Sequence, residues 1–182
     1  MSAPSEIPHD LEAVIDFINT LDVEEQVDSL TSPSELSSWL RSQDLLSDDG
    51  ADAQKSDLRP AIELREALRA LALANNGNQQ CPDAWATLER TARAGKLSVH
   101  FDQGGDVDVR PDTGGITGAL TALIARVAAA VADGTWPRVK ACRSDTCEWA
   151  FYDRSRNHSA VWCEMAVCGN RTKVRAYRER TR

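Results

Sequence analysis

The sequence predicts an α+β protein, in which a mainly helical N-terminal domain with a small β-hairpin precedes a compact cysteine-rich module. Three observations predict this class. Apolar residues recur at helical spacing through most of the first 95 residues, the pattern then alternates on either side of a Gly-Gly pair, and two cysteine pairs follow residue 138. The predicted domains are residues 1–137 and 138–182, and a chain of 182 residues is long enough to bury such a core.

The first two helices are predicted from apolar spacing and capping residues. After Asp10, which suits an N-cap, apolar residues recur three and four positions apart: Leu11, Val14, Ile15 and Ile18. A second helix begins at residues 32–35, where Ser32 and Glu35 form a capping box. Residues 47–56 are rich in Asp, Gly and Ser and predict a loop.

Three further helices are predicted before residue 137. Leucine and isoleucine at helical spacing predict a helix over residues 57–75, which an Asn-Gly pair ends. Residues 82–93 predict another helix, and the alanine-rich residues 114–133 predict the last.

A β-hairpin lies between the last two of these helices. Residues 96–101 and 107–110 flank Gln-Gly-Gly-Asp, a turn sequence typical of a hairpin. We expect three tryptophans to anchor the core: Trp39, Trp85 and Trp136.

Charge divides the chain into two parts. The net charge is −7, but residues 138–182 carry 11 Lys/Arg against 5 Asp/Glu, a balance of +6. Residues 1–137 carry 10 against 23, a balance of −13. An acidic body with a basic end is the asymmetry that a function has to explain.

The sequence predicts neither a membrane span nor a secretory signal. Its longest apolar stretch, residues 119–132, is interrupted by Arg126 and is typical of a core helix. The first ten residues have no basic region followed by an apolar one. We therefore expect a cytoplasmic, reducing location, in which cysteine pairs hold metal more often than they form disulfides.

Four cysteines are the candidate metal ligands: Cys142, Cys147, Cys163 and Cys168. Each pair is separated by four residues, and fifteen residues lie between the pairs. Four thiolates complete the tetrahedral shell of Zn²⁺, so we predict one structural zinc ion. The alternatives are cysteines packed as small apolar side chains, or a disulfide. His158 could reach the metal, but we expect it to be an exposed turn residue, and Cys81 lies far from the set.

The predicted architecture around these cysteines is a knuckle, a hairpin and a helix. Residues 148–153 alternate as a short strand does, residues 153–157 have turn chemistry, and Val161-Trp162 begins the predicted return strand. A helix then follows from about Asn170. This order describes a treble-clef-like fold.

Two stretches resemble a known family. Residues 163–171, CEMAVCGNR, preceded by FYDRSRN at 151–157 and by Trp162, resemble the CGNR zinc finger. The upstream part resembles the ABATE domain that accompanies this finger, whose members are described as stress-induced transcription regulators. The sequence DFINT at 16–20 matches its opening motif, and Trp39-Leu40 and LREAL at 64–68 fit later positions.

The resemblance implies a bacterial transcription regulator that binds DNA through its finger, with an N-terminal domain that is a candidate sensor for a small-molecule effector. On a helix after Cys168, Arg171, Arg175, Arg178 and Arg182 fall within a stripe of roughly 60°. Together with Lys173 they are the candidate nucleic-acid-binding residues. Without the resemblance, a solvated charged helix is the better interpretation.

Two alternatives from other classes stay open. The finger could be a protein–protein adaptor whose arginines hold an acidic partner, or a redox sensor whose zinc thiolates are oxidised. Asn19 and Arg65 are weak candidates for ligand binding, because a helix end and a surface ion pair explain them better. No catalytic motif is present, and the three histidines are scattered, so we expect no enzymatic activity.

Overall fold

A computed structural model describes residues 7–77 and 80–180, and it confirms the α+β class. We call the described residues up to 137 the body and residues 138–180 the metal module. In chain order the elements are α1 His9–Ile18, β1 Leu21–Asp22, β2 Val27–Asp28, α2 Pro33–Ser42, α3 Lys55–Asn75, α4 Pro82–Ala94, β3 Leu97–Phe101, β4 Val107–Pro111, α5 Gly115–Asp133, a 3₁₀ turn Trp136–Arg138, β5 Val139–Ala141, β6 Ala150–Tyr152, a π-helical turn Met165–Gly169 and α6 Asn170–Arg180.

Side-chain caps set the starts of α2 and α3. The Ser32 hydroxyl accepts the Glu35 N–H at 3.3 Å, as the capping box predicted. Helix α3 begins two residues before its predicted start, because Gln54 and Asp57 also form a capping box. The Gln54 N–H donates to the Asp57 carboxylate at 2.7 Å.

One apolar core continues from the body into the metal module. Helices α1, α2, α3 and α5 contribute most of its fully buried apolar side chains, among them Phe17, Leu36, Leu68 and Leu123. Val139 and Ala141 of β5 and two residues of β6 belong to the same core. The division into 1–137 and 138–182 stays a prediction.

Helix α5 is the one described helix that is long and apolar enough to cross a membrane. By length and composition alone this is weak evidence, because half of its most apolar window is buried against the rest of the protein. Its packing beside α1 and α4 accounts for its composition.

Three antiparallel two-stranded pairs form within the described residues. Strands β3 and β4 are the predicted hairpin. Strands β1 and β2 were not predicted, because each has only two residues. The predicted return strand at Val161-Trp162 was wrong: β6 pairs with β5, which precedes the first cysteine, and residues 161–162 form no strand.

The tryptophan prediction was partly wrong. Trp136 is buried and Trp39 lies 5.1 Å from Phe17 between ring centroids, but Trp85 is 47% exposed. Helix α4 packs through Ala84 and Leu88 instead, and Trp85 follows Ala84 on the outward side.

Two buried arginines of α3, Arg65 and Arg69, bond to the two-stranded ribbon that β1 and β2 form. Arg65 is 2% exposed and donates two hydrogen bonds to the Asp28 carboxylate, at 2.7 and 2.9 Å. Burial by itself would raise the pKa of Asp28, but the hydrogen bonds and charge of Arg65 outweigh burial and lower it. Arg65 also pairs with Glu66. Arg65, a weak ligand-binding candidate from its sequence, thus has its guanidinium engaged by body residues.

The Asp28–Arg65 pair predicts a pH-dependent stability. Asp28→Asn removes the charge beside a buried guanidinium and should lower the free energy of unfolding at pH 7 by about 3 kcal/mol. Since the folded-state pKa of Asp28 is lowered, its contribution is present above the unfolded-state pKa of about 3.9 and is lost at lower pH. Urea unfolding at pH 7 and pH 3 should therefore show a smaller gap from wild type at pH 3. A gap no larger than that of the exposed control Asp48→Asn would contradict the role of the pair.

Candidate metal centre

A tight turn between β5 and β6 positions the first two cysteines. Cys142 follows β5, and its N–H donates to the Trp149 carbonyl at 2.9 Å. The Cys147 N–H donates to the Ser144 carbonyl at 3.0 Å, which closes the turn. Glu148 then adopts a positive φ of 49°, and the chain reverses into β6.

The π-helical turn before α6 positions the other two cysteines. The Cys168 N–H donates to the Glu164 carbonyl at 3.0 Å, so that Cys163 and Cys168 lie on the same side of the turn. A β-carbon at Gly169 would lie 2.3 Å from Met165 Sδ and 3.1 Å from Trp162 Cδ1, so a larger residue there would displace the exposed Met165 side chain. Helix α6 starts directly after this turn.

The four sulfur atoms form one cluster with the dimensions of a metal site. All four Sγ atoms lie within 4.8 Å of one another. The Cys147–Cys163 and Cys163–Cys168 sulfur atoms are 3.6 and 3.7 Å apart. A tetrahedron with Zn–S bonds of about 2.3 Å has edges of about 3.8 Å, so the residues fit the ion. A disulfide needs about 2.05 Å, so these sulfur atoms are too far apart to be joined by one.

Burial disfavours the ionised, thiolate form of these cysteines unless a cation lies beside them. Cys142, Cys147 and Cys168 are buried, and Cys163 is half-buried. Burial, together with the charge of Cys142, raises the pKa of Cys147 to about 12, although a hydrogen bond with the Trp149 backbone acts in the opposite direction. Burial and the charge of Cys142 raise the pKa of Cys163 as well. Four thiolates at this spacing therefore require a cation that compensates their charge.

His158 stands apart from the cluster. The set of candidate ligands in the described part of the chain consists of the four cysteines alone. The His158 side chain is exposed, and its carbonyl accepts a hydrogen bond from Lys140 at 2.7 Å. Four cysteine ligands would leave no open position on a bound ion, which is the arrangement of a structural site.

Four side chains of the body bond to the backbone of the metal module, and the first is Asn75, which donates to the Val139 carbonyl at 2.9 Å. Asn19 exchanges two hydrogen bonds with the Ala150 backbone, at 3.0 and 2.8 Å. Arg69 donates to the Glu148 carbonyl at 3.1 Å, next to the ligand Cys147. Asn76 donates to the carbonyls of Ala141 and Val161, both at 2.8 Å. Asn19, a weak ligand-binding candidate from its sequence, thus has both amide atoms engaged by backbone.

Arg69 also ties this contact to the body. It is 3% exposed, and it donates to the Ile18 carbonyl at 2.7 Å and to the Leu21 carbonyl at 3.1 Å. Sequence reasoning missed Arg69 as a residue of the site, and Asn76 was predicted only as a helix stop. Nothing in the local pattern indicates that either side chain reaches across about 65 or more residues to the module.

The candidate nucleic-acid residues of α6 differ in their surroundings. Arg171 pairs with Glu24 of the body at 2.7 Å. Lys173 and Arg178 are exposed. The side chain of Arg175 and the whole of Arg182 lie outside what the structure describes.

Comparison with known families accounts for both parts of the chain. The family described as "Putative stress-induced transcription regulator", ABATE, matches residues 11–134. The CGNR zinc finger matches residues 138–181. The chain therefore belongs to the ABATE family and carries a C-terminal CGNR zinc finger, as the sequence motifs predicted. No curated protein matches it.

The geometry of the cluster predicts one metal ion per chain. Replacing any one of the four cysteines with Ser should remove the ion and destabilise the module, because structural zinc contributes on the order of 10 kcal/mol in small fingers. Elemental analysis and thermal unfolding measure the two effects. Cys81→Ser is the control and should keep the ion, because Cys81 lies outside the cluster. Full metal content in a variant of the four would exclude that cysteine as a ligand.

Arg69 predicts that the body contributes to metal affinity. Arg69→Met removes the bond to the Glu148 carbonyl and should weaken zinc binding about tenfold, since outer-shell partners orient ligands. Competition with a chromophoric chelator measures the affinity, and circular dichroism verifies that the variant is folded. Arg59→Met is a matched control on the exposed side of α3. Equal zinc affinity in both variants would mean that the module holds the metal unaided.

Proposed function

We propose that this ABATE-family chain is a zinc-containing, DNA-binding transcription regulator of the bacterial cytoplasm, and that it has no enzymatic activity. The observation that carries the proposal is the concentration of positive charge on the metal module: residues 138–182 have a balance of +6 in a chain whose net charge is −7. Duplex DNA is a dense line of negative charge, and cationic residues on a folded module are its usual partner.

In this proposal zinc is structural. Its four thiolate ligands would be Cys142, Cys147, Cys163 and Cys168, which the turns hold at the required spacing. Because the cluster supplies four protein ligands, a substrate or water would have no coordination position. The ion would hold the turn that starts α6 against the hairpin of β5 and β6.

Helix α6 presents cations that are accessible to phosphate. Lys173 and Arg178 are exposed, and neither has an ion-pair partner among the described residues. The helix begins immediately after Gly169, so its direction is fixed by the cysteine cluster. Loss of the metal would then abolish DNA binding together with the fold of the module.

The acidic body limits access to this surface. Residues 23–26 form the turn between β1 and β2, and the carboxylate of Asp22, the last residue of β1, accepts the N–H groups of Glu24 and Glu25 at 2.9 and 3.0 Å. Glu24 reaches Arg171 of α6. A phosphate that binds Arg171 has to displace this carboxylate, so an effector that moves the turn would change the affinity for DNA.

The test is equilibrium binding of the full-length, zinc-loaded protein to a random-sequence duplex, measured by fluorescence polarisation from 50 to 300 mM salt. We expect log affinity to fall linearly with log salt, with a slope of about 0.9 per phosphate contact. No binding at the lowest salt, with zinc retained, would reject the DNA proposal. Capture of an acidic protein under those conditions would favour the adaptor alternative.

The Glu24–Arg171 pair predicts a gain of affinity. Glu24→Gln frees Arg171 for phosphate and should tighten binding up to about fivefold at low salt, the range for an exposed ion pair. Glu25→Gln changes the net charge equally, but Glu25 is exposed and has no ion pair among the described residues. Equal gains in DNA affinity in the two variants would show that net charge causes the effect and that Glu24 does not compete with phosphate for Arg171.

A further inference from the structure

The loop that joins β6 to Cys163 is held by several hydrogen bonds between its own residues. The Asp153 carboxylate accepts the N–H groups of Ser155 and Ala160, at 2.9 and 3.1 Å. The Ser159 N–H donates to the Ser155 hydroxyl at 2.9 Å, and the His158 N–H donates to the Ser155 carbonyl at 3.3 Å. We call residues 153–160 the stapled loop.

A buried ion pair fixes this loop to β5. Lys140 is 4% exposed and Asp153 is fully buried, and they are joined at 2.6 Å. The same ammonium group donates to the carbonyls of His158 and Ala160, at 2.7 and 3.1 Å. All three donors of Lys140 thus have acceptors, which is the condition under which a buried charge is stable. The backbone of the loop is therefore pre-organised relative to the metal module.

This fixed backbone carries two arginines in solvent. The Arg154 and Arg156 side chains are exposed, and neither forms an ion pair with any described residue. The sole carboxylate within the loop, Asp153, is already neutralised by Lys140. In contrast, the α6 cation nearest to the cysteines, Arg171, pairs with Glu24.

We propose that the stapled loop is a second duplex-DNA contact of the metal module, in which Arg154 and Arg156 bind backbone phosphates. This inference rests on the proposed function and extends it to a surface that α6 does not include. Arginine donates hydrogen bonds to phosphate in a fixed fork, and a loop that is already ordered loses little conformational entropy on binding. The Lys140–Asp153 pair is the positioning device that holds both arginines in place.

The test is the double variant Arg154→Gln with Arg156→Gln in the full-length, zinc-loaded chain. Loss of two phosphate contacts should reduce the slope of log affinity against log salt by about 1.8, and this corresponds to a loss of at least about tenfold in affinity near 0.1 M salt. The matched control is Arg59→Gln with Arg93→Gln, which removes the same charge from exposed arginines of α3 and α4. It should change the slope by less than half a unit.

A second variant separates charge from structure. Arg154→Lys with Arg156→Lys keeps both charges on the same backbone and should retain most of the wild-type slope. Zinc content and thermal unfolding should match wild type in every variant, because both side chains are exposed.

Each of the other outcomes would contradict the proposed DNA contact of the loop. Equal slopes in the Gln variant and its control would mean that DNA responds to diffuse charge. An unchanged slope in the Gln variant, with normal binding by the wild type, would overturn the loop contact while leaving the proposed function intact. Absence of DNA binding by the wild type would overturn both.

Discussion

The rest of the structure depends on the hydrogen bonds that side chains of α3 and of the residues capping α1 and α3 make to the backbone of the metal module. Asn19, Arg69 and Asn76 each bond to backbone groups of the module, and the hydrogen-bond donors come from the body in most of these contacts. Backbone carbonyls buried at such a junction require partners, because an unpaired one is destabilising. The body therefore supplies the hydrogen-bond partners that the short strands β5 and β6 lack. These bonds fix the turn that carries Cys142 and Cys147.

The sulfur cluster imposes a second constraint on the same region, because its charge has to be compensated. Its four thiols are close enough to share one ion, and burial opposes their ionisation unless that ion is present. If contacts from the body stabilise the metal-bound form of this turn, then the bound metal must also stabilise those contacts, because coupling between two binding equilibria is reciprocal. The body and the metal centre are thus linked through Arg69 and the ribbon that it holds, and this ribbon ends in the acidic turn beside α6.

Five arginines among the described residues represent three physical states. Arg65 and Arg69 are buried; Arg65 bonds within the body, and Arg69 joins the body to the metal module. Arg171 is half-exposed and paired with a carboxylate of the body. Arg154 and Arg156 are exposed on a loop whose backbone is fixed from beneath. Net charge alone does not distinguish these states, although it separates an acidic body from a basic module.

The sequence by itself determined the helices, the β3–β4 hairpin, the four candidate ligands and the family, because spacing, capping residues and cysteine pairs are local signals. Tertiary structure decided that β5 rather than Val161-Trp162 pairs with β6, and that Arg65 and Asn19 bond within the protein. It also decided that Lys140 and Asp153 meet in the interior. Each of these contacts joins groups distant in sequence or hidden from solvent, and their partners are selected by packing and desolvation, which no short window of residues records.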